Sequence, residues 1–79
     1  MKIPFILYDY LESTEQDPAT LTKKELLEEA QYIASPDGNW IRQIDERGNI
    51  VEDYGYTPQQ VAALTRFINR LRKEMLFGE

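Results

Sequence analysis

Carboxylates are the side chains of this sequence that could support acid–base or metal chemistry, since its 79 residues include 14 Asp and Glu but no His and no Cys. Histidine and cysteine provide much of the nucleophile activation and tight metal binding found in proteins. The hydroxyls of Ser13 and Ser35 therefore have no histidine to activate them. The composition also excludes disulfides and thiolate metal sites. We expect a protein that is not an enzyme and that holds neither a metal nor a cofactor.

The carboxylates form local pairs, of which Asp9 with Glu12 and Glu52 with Asp53 are examples. Fourteen acids in a chain of this length produce such pairs by chance, whereas catalysis needs carboxyl groups in distinct environments. Residues 45–49 (Asp-Glu-Arg-Gly-Asn) resemble a calcium loop only superficially, because the alternating oxygen ligands and final glutamate of an EF-hand are missing. We interpret the pairs as solvated surface and residues 45–49 as a turn.

Aromatic side chains are the second group of interest, since they make up 11% of the chain and include one Trp and five Tyr. The core of so small a domain cannot enclose all of them, so some rings must reach the surface. Tyrosine and tryptophan frequently anchor protein interfaces. We predict a partner-binding surface of tyrosines and acidic residues that comprises Tyr8, Tyr10, Glu52, Asp53, Tyr54 and Tyr56. The alternative is that these rings cover the core while their hydroxyls reach water.

Charge is unevenly distributed along the chain, whose net charge is −5. Residues 1–56 carry 5 basic and 12 acidic side chains, whereas residues 57–79 carry 4 basic and 2 acidic ones. The acidic part favours a larger, basic protein as the partner. Arg66, Arg70 and Lys73 fall on one face of the predicted C-terminal helix and could follow a nucleic-acid backbone, which is the alternative prediction. The pI of about 4.7 makes nucleic acid the weaker of the two.

Two helix starts carry the same signals in the sequence. Thr22 and Glu25 stand at capping-box spacing, as do Thr57 and Gln60, and Pro58 occupies a first helical position. Apolar residues at helical spacing follow each start. The predicted buried positions are Leu26, Leu27, Ala30 and Ile33 in the first helix, and Val61, Leu64, Ile68, Leu71 and Met75 in the second, with Phe67 at its edge.

A β-hairpin is predicted between these helices. Residues 40–44 and 50–54 flank Asp-Glu-Arg-Gly, which is typical of a type I turn followed by a glycine in the left-handed region. In the register that this turn sets, the opposing pairs are Trp40 with Tyr54, Arg42 with Glu52, and Ile44 with Ile50.

The N-terminal stretch, residues 3–11, fits two structures. Ile3, Ile6, Leu7, Tyr10 and Leu11 follow helical spacing, and Pro4 is tolerated in a first helical turn. A short apolar run also fits an edge strand, which would give the hairpin a third strand. The sequence therefore predicts an α+β fold: two helices packed on an antiparallel hairpin, with an N-terminal helix or edge strand, in one domain spanning residues 1–79.

These observations predict a small non-enzymatic protein-binding module, such as a regulator, an inhibitor or an accessory subunit. The longest apolar run is too short to cross a membrane, and no targeting segment is recognisable, so we expect no membrane partner and a cytoplasmic location. A domain of this size can also complete its core by forming a homo-oligomer. The expected contacts for self-association are Leu71, Met75, Leu76 and Phe77.

Overall fold

The computed structural model describes residues 2–38 and 40–77. Within these residues the chain forms three α-helices, two short 3₁₀ helices and a two-stranded antiparallel sheet. The elements in chain order are α1 (Phe5–Ser13), a 3₁₀ helix (Pro18–Thr20), α2 (Lys23–Ala34), a 3₁₀ helix (Pro36–Gly38), β1 (Arg42–Ile44), β2 (Ile50–Asp53) and α3 (Pro58–Leu76). The predicted α+β class is confirmed.

Helices α2 and α3 begin where the capping signals place them. The Thr22 hydroxyl accepts a hydrogen bond from the Glu25 backbone N–H at 3.1 Å, and the Glu25 carboxylate accepts one from the Thr22 N–H at 2.9 Å. Thr57 and Gln60 repeat this reciprocal pair at 3.1 and 2.8 Å. Each box satisfies N–H groups that a helix start leaves unpaired, and a cap of this kind stabilises by about 1 kcal/mol.

The N-terminal segment forms a helix, so the alternative prediction of an edge strand is wrong. Pro4 precedes the first turn with an extended backbone. Ile6, Leu7 and Leu11 of α1 are completely buried. A strand would have directed the adjacent Ile6 and Leu7 to opposite faces, whereas a helix can turn both toward one core.

The core described by the structure lies between the three helices, and each of them contributes to it. Its members are Ile6, Leu7 and Leu11 from α1, Leu26, Leu27, Ala30 and Ile33 from α2, and Leu64, Phe67, Ile68 and Leu71 from α3. The predicted stripe of α2 is confirmed in full. Burying a side chain as large as Phe67 stabilises the fold by roughly 1.5–3 kcal/mol relative to leaving it in water.

Helix α3 departs from its predicted face at both margins. Phe67 is only 1% exposed and belongs to the core rather than to the edge, whereas Met75 is 40% exposed. Leu71 is buried, so the prediction that it is available for self-association is wrong. Leu76 and Phe77 are both exposed.

No helix within the described ranges combines the length and the apolar character needed to cross a bilayer.

The hairpin turn has the predicted form. Gly48 adopts a φ of +83°, in the left-handed region that favours glycine. Its N–H donates to the Asp45 carbonyl at 3.0 Å, and Asp45 Oδ1 accepts from the N–H groups of Arg47 and Asn49, each at 2.9 Å. The Asp45 carboxylate therefore stabilises the turn in addition to the backbone hydrogen bond between Gly48 and Asp45.

The predicted register is correct beside the turn and wrong further along the strands. The observed backbone pairs are Ile44 with Ile50, Gln43 with Glu52, and Arg42 with Asp53. One extra residue in β2, Val51, makes a β-bulge that shifts the pairing by one. Accordingly the Tyr54 N–H donates to the Ile41 carbonyl at 3.2 Å. The predicted pairs Arg42–Glu52 and Trp40–Tyr54 do not form.

The base of the hairpin, rather than its strands, joins it to the helices. Trp40 and Ile41 before β1, and Tyr56 after β2, are partly buried against the helical core. Every residue of β2 is exposed, and Ile50 and Val51 expose 57% and 62% of their surface. The sheet therefore leaves apolar side chains in solvent while its base is anchored beside α1.

Candidate partner-binding groove

A groove of about 370 Å³ opens between α1 and the base of the hairpin. Its lining residues are Asp9, Ser13, Trp40, Tyr54 and Tyr56, and we call it the aromatic groove. Asp9 and Ser13 stand four residues apart in α1, so both side chains lie on one flank of that helix. The three aromatic residues come from the segments immediately before β1 and after β2. The groove is therefore formed by the packing of the hairpin base against α1.

Tyr56 and Asp9 connect the two walls of the aromatic groove. The Tyr56 hydroxyl donates to Asp9 Oδ2 at 2.5 Å. Burial of the phenol, its hydrogen bond to Asp9 and the charge of that carboxylate raise the pKa of Tyr56 to about 12. The ring of Phe5, from the same flank of α1, meets that of Tyr56 edge to face with centroids 6.3 Å apart. Tyr56 is therefore a neutral donor throughout the physiological pH range.

Trp40 forms the floor of the groove and is held by Tyr10. The two rings meet edge to face with centroids 5.0 Å apart, and Tyr10 also lies 6.4 Å from Tyr32. Burial, together with the nearby Glu29 carboxylate, raises the pKa of Tyr10. The buried Nε1–H of Trp40 has no hydrogen-bond acceptor among the described residues. The Trp40 Nε1–H lies near the Tyr56 hydroxyl oxygen, and its proximity lowers the pKa of Tyr56 and so offsets part of the rise. The two groups do not have the geometry of a hydrogen bond.

Tyr54 forms the outer wall and is the most accessible of the three rings. It exposes 47% of its surface, and the nearby Glu52 carboxylate raises its pKa. The turn that follows β2 places Tyr56 in the groove: Asp53 Oδ1 accepts from the Gly55 N–H at 2.9 Å, and Gly55 has a φ of +85°. The acidic residues of β2 therefore stand directly beside the aromatic groove.

The structure divides the predicted partner-binding residues among three places. Tyr54 and Tyr56 line the aromatic groove, with Glu52 and Asp53 beside it on the exposed strand. Tyr10 supports Trp40 rather than lining the groove. Tyr8 lies on the other flank of α1, where it lines a separate depression with Pro18 and Leu21, among others. Tyr8 is exposed, but it does not share a surface with Tyr54.

Three residues of the groove, Asp9, Ser13 and Trp40, were not predicted to belong to a binding site. The spacing of Phe5, Asp9 and Ser13 carries a signal that could have identified this flank, because positions i, i+4 and i+8 align along a helix. That signal becomes usable only once residues 5–13 are known to be helical.

The predicted basic residues lie elsewhere on the molecule. Arg66 and Arg70 of α3, together with Lys2, border a shallow depression of about 260 Å³ whose floor includes Phe67. Lys73 is exposed on the same helix but does not line this depression. The ion pair between Lys23 and Glu74, at 2.7 Å, joins α2 to α3 nearby.

The lining of the aromatic groove combines polar and aromatic groups. It offers one carboxylate, two phenols, one hydroxyl and an indole, an arrangement suited to hydrogen bonding, stacking and attraction of positive charge. In the part of the chain that the structure describes, no three acidic side chains converge as a metal site would require. No protein-family model, curated protein or solved structure matches this chain.

Proposed function

We propose that this chain is a small non-enzymatic protein-binding module, such as a regulator, an inhibitor or an accessory subunit, that presents an acidic and aromatic surface to a larger, basic protein. The observation that carries this proposal is the aromatic groove, where an exposed ring and a carboxylate stand side by side. Concave sites lined by aromatic groups with a few polar ones are typical of ligand and partner recognition.

The exposed apolar residues of the hairpin support the same proposal. Ile50 and Val51 stand in water beside the acidic residues Glu52 and Asp53 on β2. Apolar side chains rimmed by charged ones are typical of surfaces that become covered by a partner. The acidic charge of residues 1–56 favours a basic partner, because complementary potentials speed encounter and reject partners of like charge.

A tagged pull-down from host lysate, run with and without nuclease, tests this proposal. We expect a stoichiometric protein that survives nuclease treatment and moderate salt. The double variant Glu52→Lys/Asp53→Lys should weaken its recovery, because it reverses the charge beside the groove without altering the helical core. The matched control is Arg66→Glu/Arg70→Glu, which reverses two charges on α3 and should leave recovery unchanged. Recovery that disappears with nuclease would contradict the proposal.

A nucleic-acid-binding protein is the second candidate function, and it is supported by the basic side chains of α3. Arg66, Arg70 and Lys2 border one depression, so their charges act on the same region of space. Binding to a phosphate backbone weakens steeply with salt because counterions are released. Titration of the chain with duplex and single-stranded oligonucleotides at several salt concentrations tests it. An affinity that does not change with salt concentration would reject this candidate function. Equal affinity of the wild type and the Arg66→Glu/Arg70→Glu variant would also reject it.

We also propose that this chain is located in the cytoplasm. The absence of cysteine fits a reducing compartment such as the cytoplasm. Cell fractionation with the untagged chain tests this location, and recovery outside the cytoplasm would contradict it.

A further inference from the structure

We infer that the aromatic groove binds a cationic side chain, that of a lysine or arginine in an exposed segment of the partner protein. This inference rests on the proposed function and specifies the chemistry that the groove recognises. Three properties of the groove carry it: its aromatic faces, its one uncompensated charge and its size.

The aromatic faces provide the first part of the attraction. Trp40, Tyr54 and Tyr56 line one groove, and Tyr54 is accessible from solvent. A cation over the face of such a ring, within about 6 Å of its centroid, is attracted by the ring quadrupole, and tryptophan is the strongest of the three ring types. Because three rings line one space, a cation bound there would lie beside more than one of them.

The carboxylate of Asp9 provides the second part. One of its oxygens accepts the hydrogen bond from Tyr56, and no donor among the described residues occupies the other. The Tyr56 hydroxyl is a neutral donor, so it orients the carboxylate without cancelling its charge. The groove is lined by no lysine or arginine within the described residues. Its electrostatic potential is therefore negative and open to a cation.

The surroundings of the groove reinforce this charge. Glu52 is close enough to Tyr54 to raise its pKa, and Asp53 stands next to it on the strand. Arg42 lies opposite Asp53 in the backbone ladder, but no ion pair within 4.0 Å joins them in the described structure. An arriving cation would therefore meet acidic groups at the rim as well as in the groove.

The size of the groove and the poor fit of uncharged or anionic groups limit which side chain can occupy it. About 370 Å³ is near the lower end for ligand sites, so it fits one long side chain with its flanking backbone rather than a folded element. An apolar side chain would desolvate the Asp9 carboxylate without compensating its charge. An anionic group would be repelled by it. A cation with an apolar stem satisfies both the rings and the carboxylate.

Titration with short blocked peptides tests the inference directly. The probes are acetyl-Gly-Arg-Gly-amide, the same peptide with lysine, and the same peptide with citrulline, which keeps the shape of arginine but not its charge. Trp40 is the sole tryptophan, so its fluorescence and its indole N–H resonance both report on the groove. We expect the arginine and lysine peptides to shift these signals saturably, and the citrulline peptide to bind at least roughly tenfold more weakly, equivalent to about 1.4 kcal/mol.

Two pairs of variants locate the effect. Asp9→Asn removes the charge while keeping an acceptor for Tyr56, and Glu12→Gln removes the same charge from an exposed position of α1 outside the groove. Tyr54→Leu removes an aromatic face, and Tyr8→Leu is its control, since Tyr8 has similar exposure on the other flank of the helix. Asp9→Asn and Tyr54→Leu should each weaken arginine-peptide binding several-fold, and the two controls should leave it unchanged.

Failure of this inference is distinguishable from failure of the proposed function. Equal binding of the arginine and citrulline peptides, absence of any saturable shift, or equal behaviour of Asp9→Asn and Glu12→Gln would overturn cation recognition. A protein partner recovered equally well by the wild type and by Asp9→Asn/Tyr54→Leu would likewise overturn it while leaving the protein-binding module intact.

Discussion

Tyr56 is the residue through which the hairpin is hydrogen-bonded to α1. Its phenol is partly buried and donates to the Asp9 carboxylate at 2.5 Å, across 47 positions of sequence. Hydrogen bonds to a charged acceptor contribute more than neutral ones, because the charge strengthens the attraction and leaving such an acceptor unpaired is costly. This hydrogen bond therefore acts with the aromatic contacts of Tyr56 and Trp40 to hold the walls of the groove together.

The first prediction concerns that contact. Tyr56→Phe keeps the ring and removes the donor, and we expect it to lower the free energy of unfolding by about 1–2 kcal/mol. Tyr8→Phe removes an exposed hydroxyl of α1 and should change stability by less than about 0.5 kcal/mol. Urea denaturation followed by far-ultraviolet circular dichroism measures both. Equal stability of the two variants would show that the Tyr56–Asp9 hydrogen bond contributes nothing net.

The second prediction concerns alkaline pH. Folding raises the pKa of Tyr56 from 10.0 to about 12, so the folded chain holds this proton more tightly than the unfolded chain does. The resulting stabilisation is fully present below pH 10 and is lost as pH rises through 12. Tyr10 and Tyr54 also have raised pKa values, so the informative quantity is the difference between wild type and Tyr56→Phe.

We expect that difference in the free energy of unfolding to be constant from pH 7 to pH 9 and to shrink between about pH 10 and pH 12. Absorbance at alkaline pH provides a second measurement, since Tyr56→Phe should remove a phenolate that titrates near pH 12. A lost component that titrates near 10 would mean that Tyr56 is neither buried nor paired with Asp9 in solution.

At the scale of elements, the helices and the hairpin differ in what stabilises them. The helices share one core, whereas β2 is exposed along its whole length and the turn depends on Asp45. Segments with few buried contacts open locally at a lower free energy than the rest of a structure. The hairpin should therefore exchange its amide hydrogens faster than the helices do.

The third prediction follows from this difference. Asp45→Ala removes the acceptor for the N–H groups of Arg47 and Asn49, and we expect roughly fivefold less exchange protection at ladder amides such as Tyr54 N–H. Protection in the cores of α1 and α3 should stay unchanged. Glu46→Ala, in the same turn, is the control. Equal loss of protection in hairpin and helices would show that the two unfold as one cooperative unit.

The elements were predictable from sequence where local chemistry determines them. Thr22 and Thr57 cap their helices with the partners expected, and Gly48 adopts the expected left-handed conformation. The bulge at Val51 was not predictable, because turn residues set the register only beside the turn and say nothing of an insertion two residues further on. The N-terminal helix was one of two predictions, since a short apolar run fits either structure.

The candidate site was predictable only in part, for a related reason. Composition indicated that tyrosines would reach the surface, and Tyr54 and Tyr56 do line the groove. Their neighbours there, Asp9 and Trp40, are distant in sequence, and docking of the hairpin base on α1 brings them together. Because that docking is a tertiary event, no local pattern identified which face of α1 the tyrosines would meet. Tyr8 was accordingly grouped with residues that lie elsewhere.

At the scale of the whole molecule, the four most exposed large apolar side chains among the described residues form two separate patches. One is the hairpin, with Ile50 and Val51, and the other is the end of α3, where Leu76 and Phe77 each expose 77% of their surface. The first stands beside acidic groups and the aromatic groove. The second follows Arg70 and Lys73, on a basic helix. The two patches therefore have different electrostatic surroundings and suit different partners.

The last prediction assigns self-association to the end of α3. Contact between two copies at the hairpin would bring the acidic side chains of β2 from both copies together, which costs free energy, whereas the Leu76–Phe77 patch follows side chains of both signs, Lys73 and Glu74. We expect the mass measured by light scattering to rise with concentration for the wild type and to remain monomeric for Leu76→Ser/Phe77→Ser. Ile50→Ser/Val51→Ser should associate like the wild type. A wild-type chain that stays monomeric at all concentrations would reject self-association, and loss of association in the hairpin variant instead would move the contact to the hairpin.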